Sequence, residues 1–266
     1  MSDAPVVIVT RPEREAAAWS EGLQALGIRT ETLPLIQINA LPNTSALQQI
    51  WTQVPSQMAV MFVSANAVRF FMAERPQGLD LKACRAWSTG PGTQAALLSC
   101  GWPADLIDSP AAEAQQFDSE ALWALVSGQV TAVTRASTDA TASVLVVRGA
   151  DAEGQMAGRD WLTLQLTNAG VQVLQTVAYG RKPSGLSAEN KDRVQASLSD
   201  GSWWLFSSSE AASYLQQSCP EFNLGQARAL ATHPRIAQKL LAAGWGRVET
   251  VPAGLKAQAE SIKSLA

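Results

Sequence analysis

An internal repeat is the feature that most constrains the fold of this 266-residue chain. Residues 88–102 read STGPGTQAALLSCGW, and residues 231–245 read ATHPRIAQKLLAAGW. Pro91 aligns with Pro234, and the Gly-Trp pairs that close the two segments align at the same offset. The offset between the two segments is 143 residues (234 − 91), which far exceeds the roughly 20–50 residues of a solenoid unit. The repeat therefore predicts two domains of one fold.

Two further pairs of segments extend the repeat. FVSANAVRFF resembles LFSSSEAASYL, and Ser64 aligns with Ser207 at the offset that relates Pro91 to Pro234. VIVTRP, which contains Arg11, resembles VLVVRG, which contains Arg148, at a slightly shorter offset. The difference between the two offsets fits a short insertion around ADAEGQ.

Strand and helix patterns alternate in both halves. PVVIVT is a short apolar, β-branched run, whereas EREAAAWSEGLQALG has helical spacing and ends at a glycine. Alternation of this kind predicts an α/β fold in which helices cover both faces of a doubly wound parallel sheet. Residues 127–143 are rich in Ala, Ser and Thr and lack a counterpart in the other half, so we interpret them as a surface loop or extension with some helix.

Two matched extended segments, TETLPLIQINALP and LQTVAYGRKPSG, are the candidate crossings between the domains. They predict a discontinuous first domain of residues 1–36 and 183–266 and a second domain of residues 41–176. The linker strands are then residues 33–41 and 175–184.

The composition argues against several classes of protein. The net charge is −3, without the basic stripe of a nucleic-acid binder. The three cysteines lack C-x-x-C spacing, which argues against a disulfide framework and a zinc site. The N-terminal sequence lacks the basic and apolar regions of a signal peptide, and no run is apolar over the 18 or more residues of a membrane span. We expect a cytoplasmic monomer without nucleic-acid or membrane partners.

Polar junctions follow the predicted strands in both halves. They are Thr10-Arg11, Ser64-Ala65-Asn66, Thr89 to Thr93, Arg148-Gly149, Ser207 to Ser209 and Thr232 to Arg235. Ligands of parallel sheets bind outside the carboxyl ends of the strands, so we expect a ligand there. Pro91 and Pro234 suit the first position of a helix, whose N–H groups favour an anion. The alternative is that these side chains only cap helices.

A nucleotide does not fit these junctions. GADAEGQ has Gln155 where a phosphate-binding loop requires lysine, and GPGTQAA lacks the third glycine of a dinucleotide fingerprint. His233 is the single histidine, which argues against a Ser-His-Asp triad; it is either a solvated residue at a helix start or a catalytic group. Tyr179 is either a hydrogen-bond or proton donor or an ordinary strand tyrosine, and Tyr214 is expected to be packed.

The ordered motifs VTRP, LPLIQI, FVSANAV, GPGTQAAL, VLVVRG, VAYGRKP, LFSSSEAA and ATHPRIAQKLLAAGW resemble the uroporphyrinogen-III synthase family. The resemblance covers almost the whole chain. It implies two flavodoxin-like domains, joined by a two-stranded linker, with the active site in the cleft between them. The implied activity is that of a cyclising hydro-lyase of tetrapyrrole and haem biosynthesis. Its substrate is hydroxymethylbilane, a linear tetrapyrrole with many carboxylates, and its product is uroporphyrinogen III with the last pyrrole ring inverted. No metal or organic cofactor is implied.

The same resemblance assigns Tyr179 as the catalytic acid or hydrogen-bond donor to the departing hydroxyl. Some family members carry threonine after Gly-Pro, where this chain has Arg235 after Pro234. The candidate substrate-binding residues are Thr10, Arg11, Ser64, Asn66, Gly92, Thr93, Arg148, Gly149, Arg181, Ser207, Ser208, Thr232 and Arg235. For the arginines, surface salt bridges are the alternative. The alternative function is a two-domain protein that binds a small anion or a nucleotide without chemistry.

Overall fold

The computed structural model describes residues 5–81, 84–111, 114, 116–136 and 142–265. These residues contain eleven strands, which are β1 (Val7–Val9), β2 (Thr30–Thr32), β3 (Ile36–Ala40), β4 (Ala59–Phe62), β5 (Arg85–Ser88), β6 (Ile107–Asp108), β7 (Ser143–Ala150), β8 (Gln172–Pro183), β9 (Trp203–Phe206), β10 (Arg228–Ala231) and β11 (Arg247–Thr250).

Ten α-helices alternate with the strands, together with two short 3-10 turns in the described part of the chain. The helices are α1 (Glu13–Ala25), α2 (Ser45–Trp51), α3 (Ala65–Ala73), α4 (Pro91–Ser99), α5 (Ser119–Ala136), α6 (Trp161–Asn168), α7 (Ala188–Ser197), α8 (Ser209–Ser218), α9 (Pro234–Ala242) and α10 (Leu255–Ser264). The 3-10 turns are Val54–Ser56 and Ala104–Leu106.

The chain divides into two compact units. Unit 1 comprises Met1–Gln37 and Lys182–Ala266, and unit 2 comprises Ile38–Arg181. The chain passes from one unit to the other within β3 and again within β8, and these two strands are neighbours in one sheet. The predicted α/β fold class with two parallel sheets is confirmed.

The sheet of unit 1 has the strand order β11-β10-β9-β1-β2. All four of its ladders are parallel, and Val9 lies opposite both Thr32 of β2 and Leu205 of β9. Counted along the chain this order is 2-1-3-4-5, which is the order of flavodoxin-like sheets.

The sheet of unit 2 has the order β3-β8-β7-β4-β5-β6. It gives the same 2-1-3-4-5 arrangement when β7 and β8 are counted as the first two strands, although they come last in the chain. The ladder between β7 and β8 shifts register between Arg148 and Gly149, so that Arg148 faces Val177 but Gly149 faces Tyr179. This bulge brings Tyr179 next to Gly149.

Both faces of the unit 2 sheet are covered, because successive side chains of a strand point to opposite faces. Val60 and Phe62 of β4 belong to a core cluster with residues of α2, α3 and α4. Ala59 and Met61 belong to a second cluster with residues of α5 and α6. The short strands are therefore buried on both sides, which explains their continuous apolar sequences.

The structure corrects one alignment of the repeat. Phe62 ends β4 and Phe206 ends β9, and the serines two residues later, Ser64 and Ser208, cap the helices that follow. The structural partner of Ser64 is therefore Ser208 rather than Ser207, the neighbouring residue that the sequence alignment selects.

The structure also resolves part of the Ala/Ser/Thr-rich segment. Residues 127–136 form the second half of α5, and residues 137–141 lie outside the described residues. The predicted helical part of the segment is confirmed. The polar residues are tolerated in the helix because their hydroxyl groups bond within it: the hydroxyl of Thr131 donates to the carbonyl of Ser127 at 2.9 Å. Val126 and Val130, one turn apart, bury the inner face.

Candidate active site

Tyr179 lies in β8 and is buried, with 3% of its surface exposed. Its ring stacks on Phe70 of α3, with ring centroids 5.8 Å apart and an interplanar angle of 22°. Its hydroxyl oxygen is 3.0 Å from the hydroxyl oxygen of Ser64, within hydrogen-bond distance. The phenol is thus fixed both by its ring and by its hydroxyl group.

Gly149 lies directly against the ring of Tyr179. A Cβ atom on Gly149 would lie 2.6 Å from Cζ, 2.8 Å from Cε2 and 3.0 Å from the hydroxyl oxygen of Tyr179. These distances are shorter than van der Waals contact, so only glycine allows the ring to lie where it does. Gly149 therefore determines where the ring of Tyr179 can lie, and its role in substrate binding stays a prediction.

Ser64 occupies the N-cap position of α3. Its hydroxyl oxygen accepts a hydrogen bond from the backbone N–H of Ala67 at 3.1 Å. The amide oxygen of Asn66 accepts a hydrogen bond from the guanidinium of Arg69 at 2.9 Å. Ser64, Gly149 and Tyr179 are the predicted site residues that the structure brings into direct contact in unit 2.

The GPGT junction begins α4. Gly90 is the N-cap residue, and a Cβ atom there would lie 2.9 Å from Cβ of Phe117, so this glycine is required by packing. A Cβ atom on Gly92 would meet nothing within 4 Å, so Gly92 lies beside open space. Thr93, one residue later, is buried. This turn therefore combines a buried threonine, Thr93, with a glycine, Gly92, that lies beside open space.

Arg148 lies near the carboxyl end of β7 and is itself buried. Its guanidinium donates to the carboxylate of Asp160 at 2.9 Å and to the backbone carbonyl of Arg159 at 3.3 Å. These two bonds direct most of the guanidinium toward the segment that precedes α6. In this structure Arg148 acts as an anchor for that segment.

Arg11 is the counterpart of Arg148 in unit 1. Its guanidinium carbon lies 4.0 Å from the ring centroid of Trp19. The face of the indole ring attracts the positively charged guanidinium in this cation–π contact. Burial lowers the pKa of Arg11 to about 10, an effect that nearby Glu15 partly opposes, so Arg11 remains charged at neutral pH. Its Nε atom is buried without a hydrogen-bond partner among the described residues.

The indole that stacks on Arg11 is itself held in place. The indole N–H of Trp19 donates to the side-chain oxygen of Gln258 at 2.6 Å, and the amide nitrogen of Gln258 donates to the carbonyl of Pro252 at 3.0 Å. Thr10, which precedes Arg11, is buried and donates its hydroxyl hydrogen to the carbonyl of Leu205 at 2.8 Å. Arg11 therefore extends from a rigid part of unit 1.

The other two junctions of unit 1 begin helices. The hydroxyl of Ser208 accepts from the backbone N–H of Glu210 at 3.2 Å at the start of α8, and Ser207 is half-buried just before it. Nδ1 of His233 accepts from the backbone N–H of Arg235 at 3.1 Å at the start of α9. The histidine thus caps a helix, in agreement with its interpretation as a residue at a helix start.

The remaining predicted residues lie at the ends of strands or, for Arg235, at the start of the helix that follows. Thr232 follows β10 and is half-buried, and its backbone N–H donates to the carbonyl of Phe206 at 3.1 Å. Arg235 is exposed in the first turn of α9. Arg181 is half-buried near the end of β8, two residues after Tyr179. The binding roles of all these residues stay predictions.

The described residues contain no group of three or more His, Cys, Asp and Glu side chains arranged to hold a metal ion. Within the same residues, every helix is too short or too polar to span a membrane. Tyr214 is buried as predicted, and its hydroxyl donates to the carboxylate of Glu210 at 2.7 Å.

Three residues that hold predicted site residues, one in unit 2 and two in unit 1, were not predicted from the sequence. Phe70 has only the pattern of an apolar helix face, and Trp19 and Gln258 are far apart in the chain. The available signal for Phe70 was its position on the helix that Ser64 begins, less than two turns away. That position alone does not identify the strand that brings a tyrosine to it.

Comparison with known proteins yields one family. A family model described as Uroporphyrinogen-III synthase HemD matches residues 17–255. The solved uroporphyrinogen-III synthetase from Helicobacter pylori is 16% identical, with a TM-score of 0.60 over 98% of this chain and 100% of that chain. A mutant uroporphyrinogen III synthase from Thermus thermophilus is also 16% identical, with a TM-score of 0.58 over 98% of each chain. At this level of identity the two structures show a shared fold.

Proposed function

The chain belongs to the uroporphyrinogen-III synthase family, and we propose that it cyclises hydroxymethylbilane to uroporphyrinogen III with loss of water and inversion of the last pyrrole ring. The observation that carries this proposal is the family match over residues 17–255. The buried Tyr179, held by Phe70, Gly149 and Ser64, supports it as a group suited to the chemistry.

The first step is the departure of a hydroxyl group. We assign Tyr179 as the proton donor: its O–H bond breaks, the proton goes to the leaving hydroxyl oxygen, and the C–O bond breaks to release water. The nitrogen lone pair of the adjacent pyrrole stabilises the carbocation that remains. A phenol is protonated at neutral pH, so the proton is present when the substrate binds. General acid catalysis of this kind contributes about 10²–10⁴-fold to a rate.

Ring closure then decides the product. The substituted carbon of the last pyrrole attacks the cation, and the new C–C bond gives a spiro intermediate. The older bond from that carbon to the bridging carbon of the third ring then breaks and leaves a cation on the bridging carbon, stabilised by the third pyrrole. The unsubstituted α-carbon of the last ring bonds to this bridging carbon and loses its proton, so the last ring is closed in the inverted orientation. The proton that the rings lose as they regain aromaticity balances the one that Tyr179 gave. Choosing between two carbons of one ring requires orientation of the substrate more than acid–base strength.

Binding a substrate with many carboxylates does not require a basic protein. The starts of α3, α4, α8 and α9 follow parallel strands, and backbone N–H groups at helix starts favour anions. Arg11 adds a charged guanidinium with a buried Nε that the described residues leave without an acceptor. These groups support carboxylate binding by a chain whose net charge is −3.

Elimination of water from a carbon–oxygen bond places the proposed reaction among the lyases. A cytoplasmic location and a monomeric state stay predictions. The anion- or nucleotide-binding protein without chemistry is the weaker alternative, because the family match favours the enzyme.

The product isomer tests the proposal directly. Fresh hydroxymethylbilane is incubated with the protein, and the oxidised products are separated by chromatography. Without enzyme this substrate closes to isomer I. We expect isomer III to dominate when protein is present, and product consisting of isomer I alone would contradict the proposed function.

A further inference from the structure

We propose that Ser64 is a positioning residue for Tyr179, which directs the phenolic proton toward the substrate and holds the phenolate that remains. This inference rests on the proposed function, because it concerns the proton that Tyr179 donates. It assigns to Ser64 a role beyond substrate binding and beyond capping α3.

The hydrogen bonds of Ser64 allow it to donate its hydrogen to Tyr179. A serine hydroxyl has one hydrogen to donate and two positions to accept. The backbone N–H of Ala67 donates to the oxygen of Ser64 at 3.1 Å, which occupies one accepting position. The hydrogen of Ser64 is then available for the oxygen of Tyr179, 3.0 Å away. In that arrangement the phenolic hydrogen points toward an acceptor other than Ser64.

The direction of this bond is fixed once the proton has left. Between two hydroxyl groups either oxygen can donate, but a phenolate has no hydrogen, so after transfer Ser64 is the donor. A hydrogen bond to an ionised oxygen is roughly twice as strong as one between neutral groups. The contact therefore strengthens as the reaction proceeds, which is the condition for lowering the barrier rather than for binding the substrate.

The buried surroundings of Tyr179 make the hydrogen bond from Ser64 important. Tyr179 is 3% exposed and lies between Phe70 and the backbone of Gly149, so water has little access to a phenolate formed there. Ser64 also lies at the start of α3, a helix of nine residues, and the positive end of a helix dipole favours a negative charge. The same serine links the phenol to that helix start.

Variants of Ser64 separate positioning from capping. Ser64→Ala removes both the cap and the donor. Ser64→Thr keeps both, because threonine also caps helices. Ser64→Asp keeps a strong cap but, when ionised, has no hydrogen to donate and places a negative charge beside the phenolate. The matched control is Ser187→Ala, because Ser187 caps α7 by accepting from the N–H of Asn190 at 3.2 Å.

The readouts are kcat and KM for isomer III formation, with the melting temperature measured in parallel. We expect Ser64→Ala to lower kcat about tenfold, the effect of losing one differential hydrogen bond, with KM changed less than about twofold. Ser64→Thr should stay within about threefold of the wild-type kcat. Ser64→Asp should melt near the wild-type temperature yet have the lowest kcat. Ser187→Ala should lower the melting temperature and leave kcat unchanged.

A double variant tests whether Ser64 acts through Tyr179. Adding Ser64→Ala to Tyr179→Phe should not lower kcat further, because the group that Ser64 serves is already gone. Wild-type kcat in Ser64→Asp, unchanged kcat in Ser64→Ala, or a full additional tenfold loss in the double variant would each overturn the proposal. Wild-type protein that makes no isomer III would instead overturn the proposed function itself, so the two failures are distinguishable.

Discussion

The two units differ at a pair of equivalent positions, the serines that cap the helices after corresponding strands. Ser64 in unit 2 and Ser208 in unit 1 follow corresponding strands and cap corresponding helices. In unit 2, however, the capping serine also reaches the hydroxyl of Tyr179. At the offset that relates Pro91 to Pro234, the residue of unit 1 that aligns with Tyr179 is Ile36. The repeat therefore supplies the same backbone frame twice, and in unit 2 a phenol lies beside the capping serine at a position that isoleucine takes in unit 1.

Two matched arginines, one in each unit, differ in a similar way. Arg148 is held by Asp160 and by a backbone carbonyl, whereas Arg11 stacks on Trp19 and has a lowered pKa because of burial. Equivalent positions thus hold one arginine with two hydrogen bonds to the segment before α6 and one that stacks on an indole ring, and in both the Nε atom is buried without a hydrogen-bond partner among the described residues. Together with the proposed role of Tyr179, the comparison predicts proton donation in unit 2 and a carboxylate contact in unit 1.

After loss of the Tyr179 hydroxyl itself, the largest effect is expected from Gly149→Ala. The new Cβ atom would lie 2.6 Å from Cζ of Tyr179 and would displace the ring and its hydroxyl. We expect kcat to fall at least tenfold and the free energy of unfolding to fall by about 1–3 kcal/mol. Kinetics and urea titration measure the two changes. The control is Gly180→Ala, one residue after Tyr179, where the nearest atom to a Cβ is the carbonyl of Asn39 at 4.0 Å. If Gly149→Ala and Gly180→Ala lowered kcat equally, the role of Gly149 in positioning the ring of Tyr179 would be contradicted.

Arg148→Met should mainly affect stability. It removes hydrogen bonds to the Asp160 carboxylate and the Arg159 carbonyl, so we expect the free energy of unfolding to fall by about 1.5–3 kcal/mol. Urea unfolding followed by tryptophan fluorescence measures this change. Unaltered stability would show that Arg148 does not anchor the segment before α6.

Arg11→Met is the matched change in unit 1 and should mainly affect binding. Removing a charge whose burial is unfavourable costs little stability, whereas loss of one carboxylate contact should raise KM roughly tenfold. Initial rates over a range of hydroxymethylbilane concentrations give KM. An unchanged KM together with a large loss of stability would reverse the predicted difference between the two arginines.

The smallest effect concerns the buried cysteines. Burial raises the pKa of Cys84 in unit 2 to about 12, from an ordinary 9.0, against a smaller opposing hydrogen bond from Val60. Burial also raises the pKa of Cys219 in unit 1, where Lys191 opposes it. As the pH rises above 9, the unfolded chain loses a proton that folded Cys84 keeps, so the stabilisation by Cys84 is lost progressively up to pH 12.

Cys84→Ala should therefore make stability less dependent on alkaline pH than Cys219→Ala does. Between pH 8 and 9.5 the difference from wild type should stay below about 1 kcal/mol. Urea unfolding at both pH values measures it. A larger change in the pH dependence for Cys219→Ala would contradict the order of the two pKa shifts.

Much of the frame could be predicted from the sequence, because its signals are local. Short apolar runs, prolines at helix starts and hydroxyl residues after strands identified the alternating elements and the junctions such as Ser64 and Ser208. The alignment of Arg11 with Arg148 also agrees with the sheet registers, in which Val7 lies opposite Trp203 and Val144 lies opposite Ala59.

The contacts that make the site could not be predicted in this way. Ser64 and Tyr179 are 115 residues apart, and their meeting depends on strand order and on a bulge between Arg148 and Gly149 that no local pattern indicates. The partner of Arg148 is likewise decided by the path of the chain to Asp160. For residues 127–143 the sequence predicts a loop or extension with some helix, but the polar composition does not indicate where the helix ends, because its hydroxyl groups are satisfied within the helix.

The central claim is that the phenol of unit 2 gives the proton that starts the reaction, and Tyr179→Phe tests it most directly. The variant keeps the ring that stacks on Phe70 and removes only the hydroxyl group. With the far-ultraviolet circular dichroism unchanged, we predict that kcat for isomer III falls by a factor of about 10² while KM stays close to the wild-type value. A kcat equal to that of the wild type would contradict the claim.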